Sequence, residues 1–319
     1  MREAPEHLDA ADLLEVVRRH WDTDVDALEH LPVGFGAHHW AASVGGVRRL
    51  FVTFDRLLPK RDACSLEHAY AAAADLARSG LDFVLASSPT VSGYTVPLSG
   101  GAVSVTPWVD GRSGEGSFVD EADAVETASI LSRLHASQVP ADIPVWKPVV
   151  RSDLGDELAG RVTQPWRTGP FGEPAREAVA AHLPAVHEWV RRYVPLAERA
   201  VLAHRSWVPT HGEPDTGNHL LTRTRRYLVD WESLALAPRE RDLDSLVASG
   251  ADWQAAYASP DPDPQMLEMF DLEWRLSEIV EYSAWFRARH TGTASDTVAF
   301  EGLLEELDRP PRFVCDRPS

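Results

Sequence analysis

The chain has 319 residues, enough for one large domain or two modest ones with a full apolar core. Its 31 basic and 49 acidic residues give a formal charge of −18, which argues against a nucleic-acid partner and favours attraction of cations. No apolar run approaches the roughly 18 residues of a membrane span, no signal-like hydrophobic segment follows Met1, and Cys64 and Cys315 lie far apart, so a cytoplasmic chain with reduced thiols is expected.

Leu8, Leu13, Leu14 and Val17 mark an amphipathic helix over residues 8–20. Leu28 to Leu31 then lead through Gly34-Phe35-Gly36 to Trp40–Val44, the pattern of a strand, a tight loop and a second strand. After the Gly45-Gly46 turn a third strand covers 48–54; it carries Thr53 and no lysine, the chain's two lysines being Lys60 and Lys147. Residues 63–76 form a helix that bears Glu67. Short strands are expected at 83–86, 93–98 and 102–109, the last including Trp108.

Beyond Asp110 the pattern turns helical, with Ala124, Ala128, Leu131 and Leu134 on one stripe that ends at His135. A Pro-, Gly- and Trp-rich connection over 139–175 holds a short helix near 154–158 and leads to a long helix over 174–203. The final long helix, about 265–290, buries Leu272, Leu276, Ile279, Val280 and Ser283, with Glu278 and Glu281 on the edges of that stripe.

Between these helical segments lies Thr210-His-Gly-Glu-Pro-Asp-Thr-Gly-Asn-His-Leu-Leu221, a basic turn over 222–226, and Tyr227-Leu-Val-Asp-Trp-Glu232. Two apolar runs flanking that turn predict a small hairpin. Its two open ends carry Asn218 and Asp230, within reach of one another. An amide oxygen and a carboxylate are hard ligands of the kind Mg2+ takes when it also binds phosphates. Glu213, on the preceding turn, offers a third oxygen donor or a base. The plainer alternative is a hairpin whose Asn and Asp only cap turns.

His211-Gly212, Asn218 and Asp230-Trp231 resemble, in type and spacing, the catalytic and metal-binding segments of the aminoglycoside phosphotransferase family, relatives of the protein kinases. Residues 237–243 and 272–294 are similar to its spectinomycin-phosphotransferase-like group, and the likeness runs from about residue 33 to 300. The resemblance implies an α+β, two-lobed protein-kinase-like fold. A small antiparallel N-terminal lobe with one main helix would cover residues 1–110, and a larger, mostly helical C-terminal lobe 111–319. It implies transfer of the γ-phosphate of ATP, or of GTP, with Mg2+, to a hydroxyl of a small aminated antibiotic or natural product, by a monomer or homodimer.

On the same resemblance the amides around Gly34 and Gly36 cover the nucleotide phosphates, and Trp108 sits at the hinge where adenine meets backbone. Thr53 stands in the register of the family's strand lysine. Glu67 either pairs with a displaced cation, from Lys60, Arg48 or Arg49, or is a solvated helix residue. Asn218 and Asp230 hold Mg2+, Glu213 acts as the base with Asp215 as stand-in, and Asp242 ties down the loop backbone. His135 is structural, and Glu278 and Glu281 either bind the substrate's amines or face solvent. Two residues depart from the pattern. Glu213 replaces an Asp, which moves the carboxylate by about 1 Å, a misplacement that can cost on the order of 100-fold; and the strand lysine is absent. These departures leave two alternatives: a kinase-like pseudoenzyme that binds a small molecule without phosphorylating it, and a small-metabolite kinase for choline, a sugar or an amino-alcohol.

Overall fold

The structure is a computed structural model that describes residues 1–5, 8–34, 36–57, 62–114, 118, 120–258 and 260–313. The chain opens with α1 (Ala10–His20), β1 (Ala27–Leu31), β2 (Ala37–Val44), β3 (Val47–Arg56), α2 (Ala63–Arg78), β4 (Val96–Leu98), β5 (Gly101–Pro107), β6 (Arg112–Ser113) and α3 (Glu121–His135). It continues with α4 (Leu154–Val162), α5 (Gly172–Leu202), β7 (Val208–Thr210), β8 (His219–Leu221), β9 (Arg226–Leu228) and β10 (Ala235–Ala237). The last helices are α6 (Asp244–Ser249), α7 (Gln254–Tyr257), α8 (Pro264–Arg287) and α9 (Ala294–Asp308). By packing, Met1–Trp146 and Val208–Ser259 form one compact unit, Lys147–Trp207 and Pro260–Ser319 the other.

The first unit is built on a five-stranded antiparallel sheet in the order β1-β2-β3-β5-β4. Side chains alternate between its faces. Trp40, Ala42, Val52, Phe54, Val103 and Val105 join Leu13 and Val17 of α1 in an apolar core. Thr53 lies opposite His39 on one side and Ser104 on the other, and these three with Asp55 are buried polar groups on the sheet's other face. One of them, Asp55, accepts the Tyr70 hydroxyl of α2 at 3.0 Å.

The expected strand over 83–86 is not a strand. The segment makes a single rung with β9: Leu228 N–H donates to Phe83 O at 2.7 Å, and Leu85 N–H to Leu228 O at 3.1 Å. Phe83 and Val84 are buried by that rung, so the apolar run signalled burial rather than a ladder. The hairpin of β8 and β9 forms as expected, and β6 adds a third strand to it.

The second unit packs α4, α5, α8 and α9 together. On α8 Leu272, Leu276, Ile279 and Ser283 are buried, as the stripe predicts, and Val280 is half-buried. The same helix also buries charge. Asp271 meets Arg309 at 2.6 Å, Glu268 pairs with Arg192, and Glu273 accepts the Tyr193 hydroxyl. Arg275, fully buried, donates to the carbonyls of Arg309 and Pro310 at 2.7 and 3.1 Å and lies 4.4 Å over the Trp189 ring. The last helix, α9, starts from a capping box of Thr293 and Asp296. Among the described residues no helix is long and apolar enough to cross a membrane.

Breaking a buried pair from one side costs far more than breaking an exposed one, because a charge is left without a partner in a dry site. Asp271 is 2% exposed. Asp271→Ala leaves Arg309 with Glu306 as its remaining partner at 2.6 Å and should cost about 1.5–3 kcal/mol in urea unfolding, the worth of a hydrogen bond to a charged group. Glu15→Ala, which breaks an exposed pair with Arg19, should leave the midpoint nearly unchanged; equal effects would refute the assignment.

Candidate active site

The loop after β7 hangs from one carboxylate. Asp242, fully buried, accepts the His211 N–H at 2.8 Å on Oδ2 and the Gly212 N–H at 2.7 Å on Oδ1. The His135 Nε2–H donates to Oδ2 at 2.9 Å, while His135 Nδ1 meets the Tyr257 hydroxyl at 2.5 Å. Asp242 thus ties down the loop backbone and His135 supports Asp242, the parts expected of both. Burial alone would raise the Asp242 pKa. The His135 hydrogen bond, followed by the positive influence of His135, Arg241 and His211, outweighs burial and holds it below the ordinary carboxylate value.

His211 extends the network. Its Nε2–H donates to Val229 O at 2.8 Å and its Nδ1 accepts the Glu213 N–H at 3.2 Å, which requires one neutral tautomer. Burial pushes its pKa down against the pull of Asp242, which agrees with that neutral form. Gly212 has φ +101°, and a Cβ there would lie 2.4 Å from the Arg241 guanidinium. Arg241 in turn donates to Thr210 Oγ1 at 3.0 Å and to Ser233 O at 2.9 Å. Glycine is therefore required by backbone conformation, and a side chain there would also have to displace the Arg241 guanidinium from its two hydrogen bonds.

The hairpin brings Asn218 and Asp230 to its open ends, as expected: His219 pairs with Leu228, and Val229 N–H donates to Asn218 O at 2.9 Å. Asn218 Nδ2 donates to Glu213 O at 2.8 Å, which leaves Oδ1 as its remaining acceptor. Asp230 is exposed and sits in the left-handed region, φ 68° and ψ 60°, a conformation uncommon outside glycine. Glu213 is half-buried. Asp215 caps the turn Thr216–Asn218, accepting the Gly217 N–H at 2.7 Å. Burial pushes the Asp215 pKa up, the Gly217 and Asn218 amides pull it down and Asp230 pushes it up again, leaving it raised.

On the sheet side, Gly34 and Gly36 have φ +68° and +97°, and a Cβ at Gly36 would meet nothing within 4 Å. Phe35 lies outside the described residues, as does Lys60. Thr53 is buried and its hydroxyl is 3.2 Å from His39 Nδ1. Burial pushes the His39 pKa down to about 4, with Asp230 the largest opposing influence. Thr53, His39 and Asp230 therefore belong to one neighbourhood. The register of β2 against β3 places His39 opposite Thr53, on the same face of the sheet.

Two expected residues, Glu67 and Trp108, have partners within the protein. Glu67 accepts Tyr94 N–H at 2.7 Å, Thr95 N–H at 2.8 Å and the Thr95 hydroxyl at 2.6 Å. It anchors that segment, a task different from both a cation's partner and a solvated helix residue. Trp108 donates its backbone N–H to Arg49 O and its Nε1–H to Asp110 Oδ1, both at 2.8 Å, so both donors are taken within the protein. Arg48 lies 4.9 Å over the Trp108 ring and pairs with Glu29 at 2.8 Å. Glu278 and Glu281 lie half-buried on α8, in the other unit, where Glu278 neighbours Tyr282.

Among the described residues no group of three or more His, Cys, Asp or Glu side chains forms a self-contained metal cage. A pair such as Asn218 and Asp230 suits Mg2+, which retains waters and takes phosphate oxygens to complete its shell. The anchored His-Gly loop, the hairpin with its left-handed Asp and the glycine-bearing sheet are the parts of a kinase-like phosphotransferase. The profile of the phosphotransferase enzyme family matches residues 27–271, and the chain belongs to that family. It is 27% identical over 308 residues to Protein StrN of Streptomyces griseus, covering 91% of this chain and 89% of that one. The fold is similar to that of spectinomycin phosphotransferase in complex with ADP and spectinomycin, with TM-score 0.72, 17% identity and 95% and 96% of the two chains covered. It is also similar to that of a microcompartment-associated aminopropanol kinase, with TM-score 0.57, 16% identity and 94% and 95% covered.

Asp242→Asn puts an amide where the loop needs a double acceptor, and should cost about 2–4 kcal/mol of stability near neutrality. Because the folded pKa of Asp242 is depressed, its contribution is complete above the ordinary value of 3.8 and is lost as pH falls through the folded value. The stability gap between wild type and variant should stay level from about pH 5 to 8 and close in stronger acid. A gap that changes near neutrality would show that a histidine, not Asp242, sets it.

Proposed function

We propose that the chain transfers the γ-phosphoryl group of ATP, or of GTP, to a hydroxyl of a small aminated natural product of the aminocyclitol or aminoglycoside kind, in the cytoplasm. The observation that carries this reading is Asp230. Its left-handed backbone costs of order 1–3 kcal/mol and persists only where the surroundings over-determine it. Here the Asn218–Val229 rung and the His211–Val229 hydrogen bond do so, and they leave the carboxylate exposed beside Asn218. Family membership, the ADP in the spectinomycin phosphotransferase complex and the formal charge of −18 support it further.

In this proposal residues 1–110 serve nucleotide binding and 111–319 catalysis and acceptor binding. Asn218 Oδ1 and the Asp230 carboxylate hold a magnesium ion, which when bound offsets the charge on the phosphate oxygens. Glu213 orients the acceptor hydroxyl and takes its proton, with Asp215 in reserve and otherwise shaping the turn. The amides around Gly34 and Gly36 lie over the phosphates, with Thr53 beneath, and Trp108 offers its ring beside the base. Glu67 contributes through the segment it anchors. The likeness to an aminopropanol kinase keeps small amino-alcohols among the acceptors to be tried.

The test is release of ADP or GDP from the purified chain with each Mg-nucleotide and a panel of aminocyclitols, aminoglycosides and amino-alcohols. General-base loss is worth about 10²–10⁴, so Glu213→Gln should lower kcat by that factor with little change in KM, while Glu213→Asp keeps the base but draws it back by about 1 Å and should cost on the order of 100-fold. Asp230→Ala should abolish both turnover and the rise in melting temperature with Mg-nucleotide. Stabilisation by an acceptor but by no nucleotide would replace the enzyme with a sequestering protein.

A further inference from the structure

The face of the sheet that carries Thr53 buries two polar side chains against each other: His39 is 8% exposed and Thr53 9%. Such groups are costly to bury unless hydrogen-bonded, and these two are, at 3.2 Å through Nδ1 and Oγ1. The bond occupies only one edge of the imidazole. With the Thr53 hydroxyl donating to Nδ1, the ring proton resides on Nε2. The Phe51 ring stacks on His39 with centroids 4.9 Å apart, which fixes the plane of the imidazole.

The Nε2 edge lies under the glycine loop. A Cβ built on Gly34 would sit 3.1 Å from His39 Nε2 and 3.5 Å from Cδ2, so the loop's first glycine passes directly over this N–H. From another direction Asp230 exerts the largest opposing electrostatic influence on the same ring, against burial, the Met1 α-amino group and His30. Gly34 beside Nε2, the Thr53 hydroxyl at Nδ1 and the influence of Asp230 thus all bear on one imidazole. No lysine lies on β3.

We infer that His39, held through Nδ1 by Thr53, presents its Nε2–H to the phosphate oxygens of the bound nucleotide beneath Gly34, in the place of the absent strand lysine. The inference rests on the phosphotransferase reading above. It assigns His39 a nucleotide-binding role and Thr53 the role of positioning it. A neutral donor of this kind gives direction without charge, and is less strong than the charge-assisted contact a lysine makes.

Calorimetric titration with adenosine, ADP and ATP, each with Mg2+, tests it. His39→Phe keeps a ring without the donor, and should weaken ATP binding about 10- to 100-fold, the worth of a hydrogen bond to a charged group. Adenosine, which has no phosphate, should bind as before. His39→Gln restores a side-chain N–H and should recover most of the ATP affinity; Thr53→Val removes the anchor and should lose several-fold on the same hydrogen-bond scale. Unligated melting curves report folding. Should His39→Phe not fold, Thr53→Val decides. Unchanged ATP affinity in the folded variants, or adenosine affinity that falls in parallel with ATP, would overturn the assignment of His39 alone. A wild type that binds no nucleotide would overturn the phosphotransferase reading, and this inference with it.

Discussion

A buried carboxylate with too few donors is a liability of several kcal/mol, and Asp242 escapes it by receiving three N–H groups. Two of those donors are consecutive backbone amides, so the carboxylate dictates the path of the chain at residues 211 and 212. The path demands the positive φ of Gly212, and Arg241, next to Asp242 in sequence, occupies the space where a side chain at 212 would go. His211, once placed, passes the constraint on. Its Nε2–H fixes Val229 O, and its Nδ1 fixes the amide of Glu213. Asp230 and Glu213 thus inherit their positions from a residue that faces neither substrate nor metal.

The sheet solves a related problem in another way. Its α1 face is mostly apolar, with His38 its buried polar group beside Trp40 and Phe54, whereas the opposite face buries His39, Thr53, Asp55 and Ser104. These groups are reconciled with burial in pairs, His39 with Thr53 and Asp55 with Tyr70. A neutral imidazole costs far less to bury than a charge, so the His39–Thr53 pair is accommodated while the carboxylate of Asp55 relies on the Tyr70 hydroxyl. A lysine on that strand would need its own compensation whenever nucleotide was absent.

The parts legible in sequence are those whose signals are local. Two apolar triplets around Thr222-Arg-Thr-Arg-Arg226 gave the hairpin, and spacing alone put Asn218 and Asp230 at its ends. The stripe on α8 was legible for the same reason, and the Thr293–Asp296 capping box of α9 was on view though not used. Glu67 was opaque because its partners are backbone amides 27 and 28 residues away, and no side-chain pattern announces those. His39 was hidden by its own strand: Ala37 to Ala42 are all buried, so alternation of burial could not reveal which face was special. Phe83 and Val84 show the converse, an apolar run buried by one rung.

The anchoring of the loop bears directly on the extra methylene of Glu213. Its N–H is held by His211 and its carbonyl by the Asn218 amide, so a compensating shift of the main chain would break both bonds. The added length must then be absorbed in side-chain torsions, and the carboxylate reaches about 1 Å farther from the loop than an aspartate on the same backbone. On the proposed function, an acceptor hydroxyl must sit correspondingly farther out to meet it. The departure at 213 thereby acts on which acceptor fits, while the missing lysine acts on how the nucleotide is gripped. On that proposal the two changes fall on different substrates, and each leaves undisturbed the Asp242 network that positions Asn218 and Asp230.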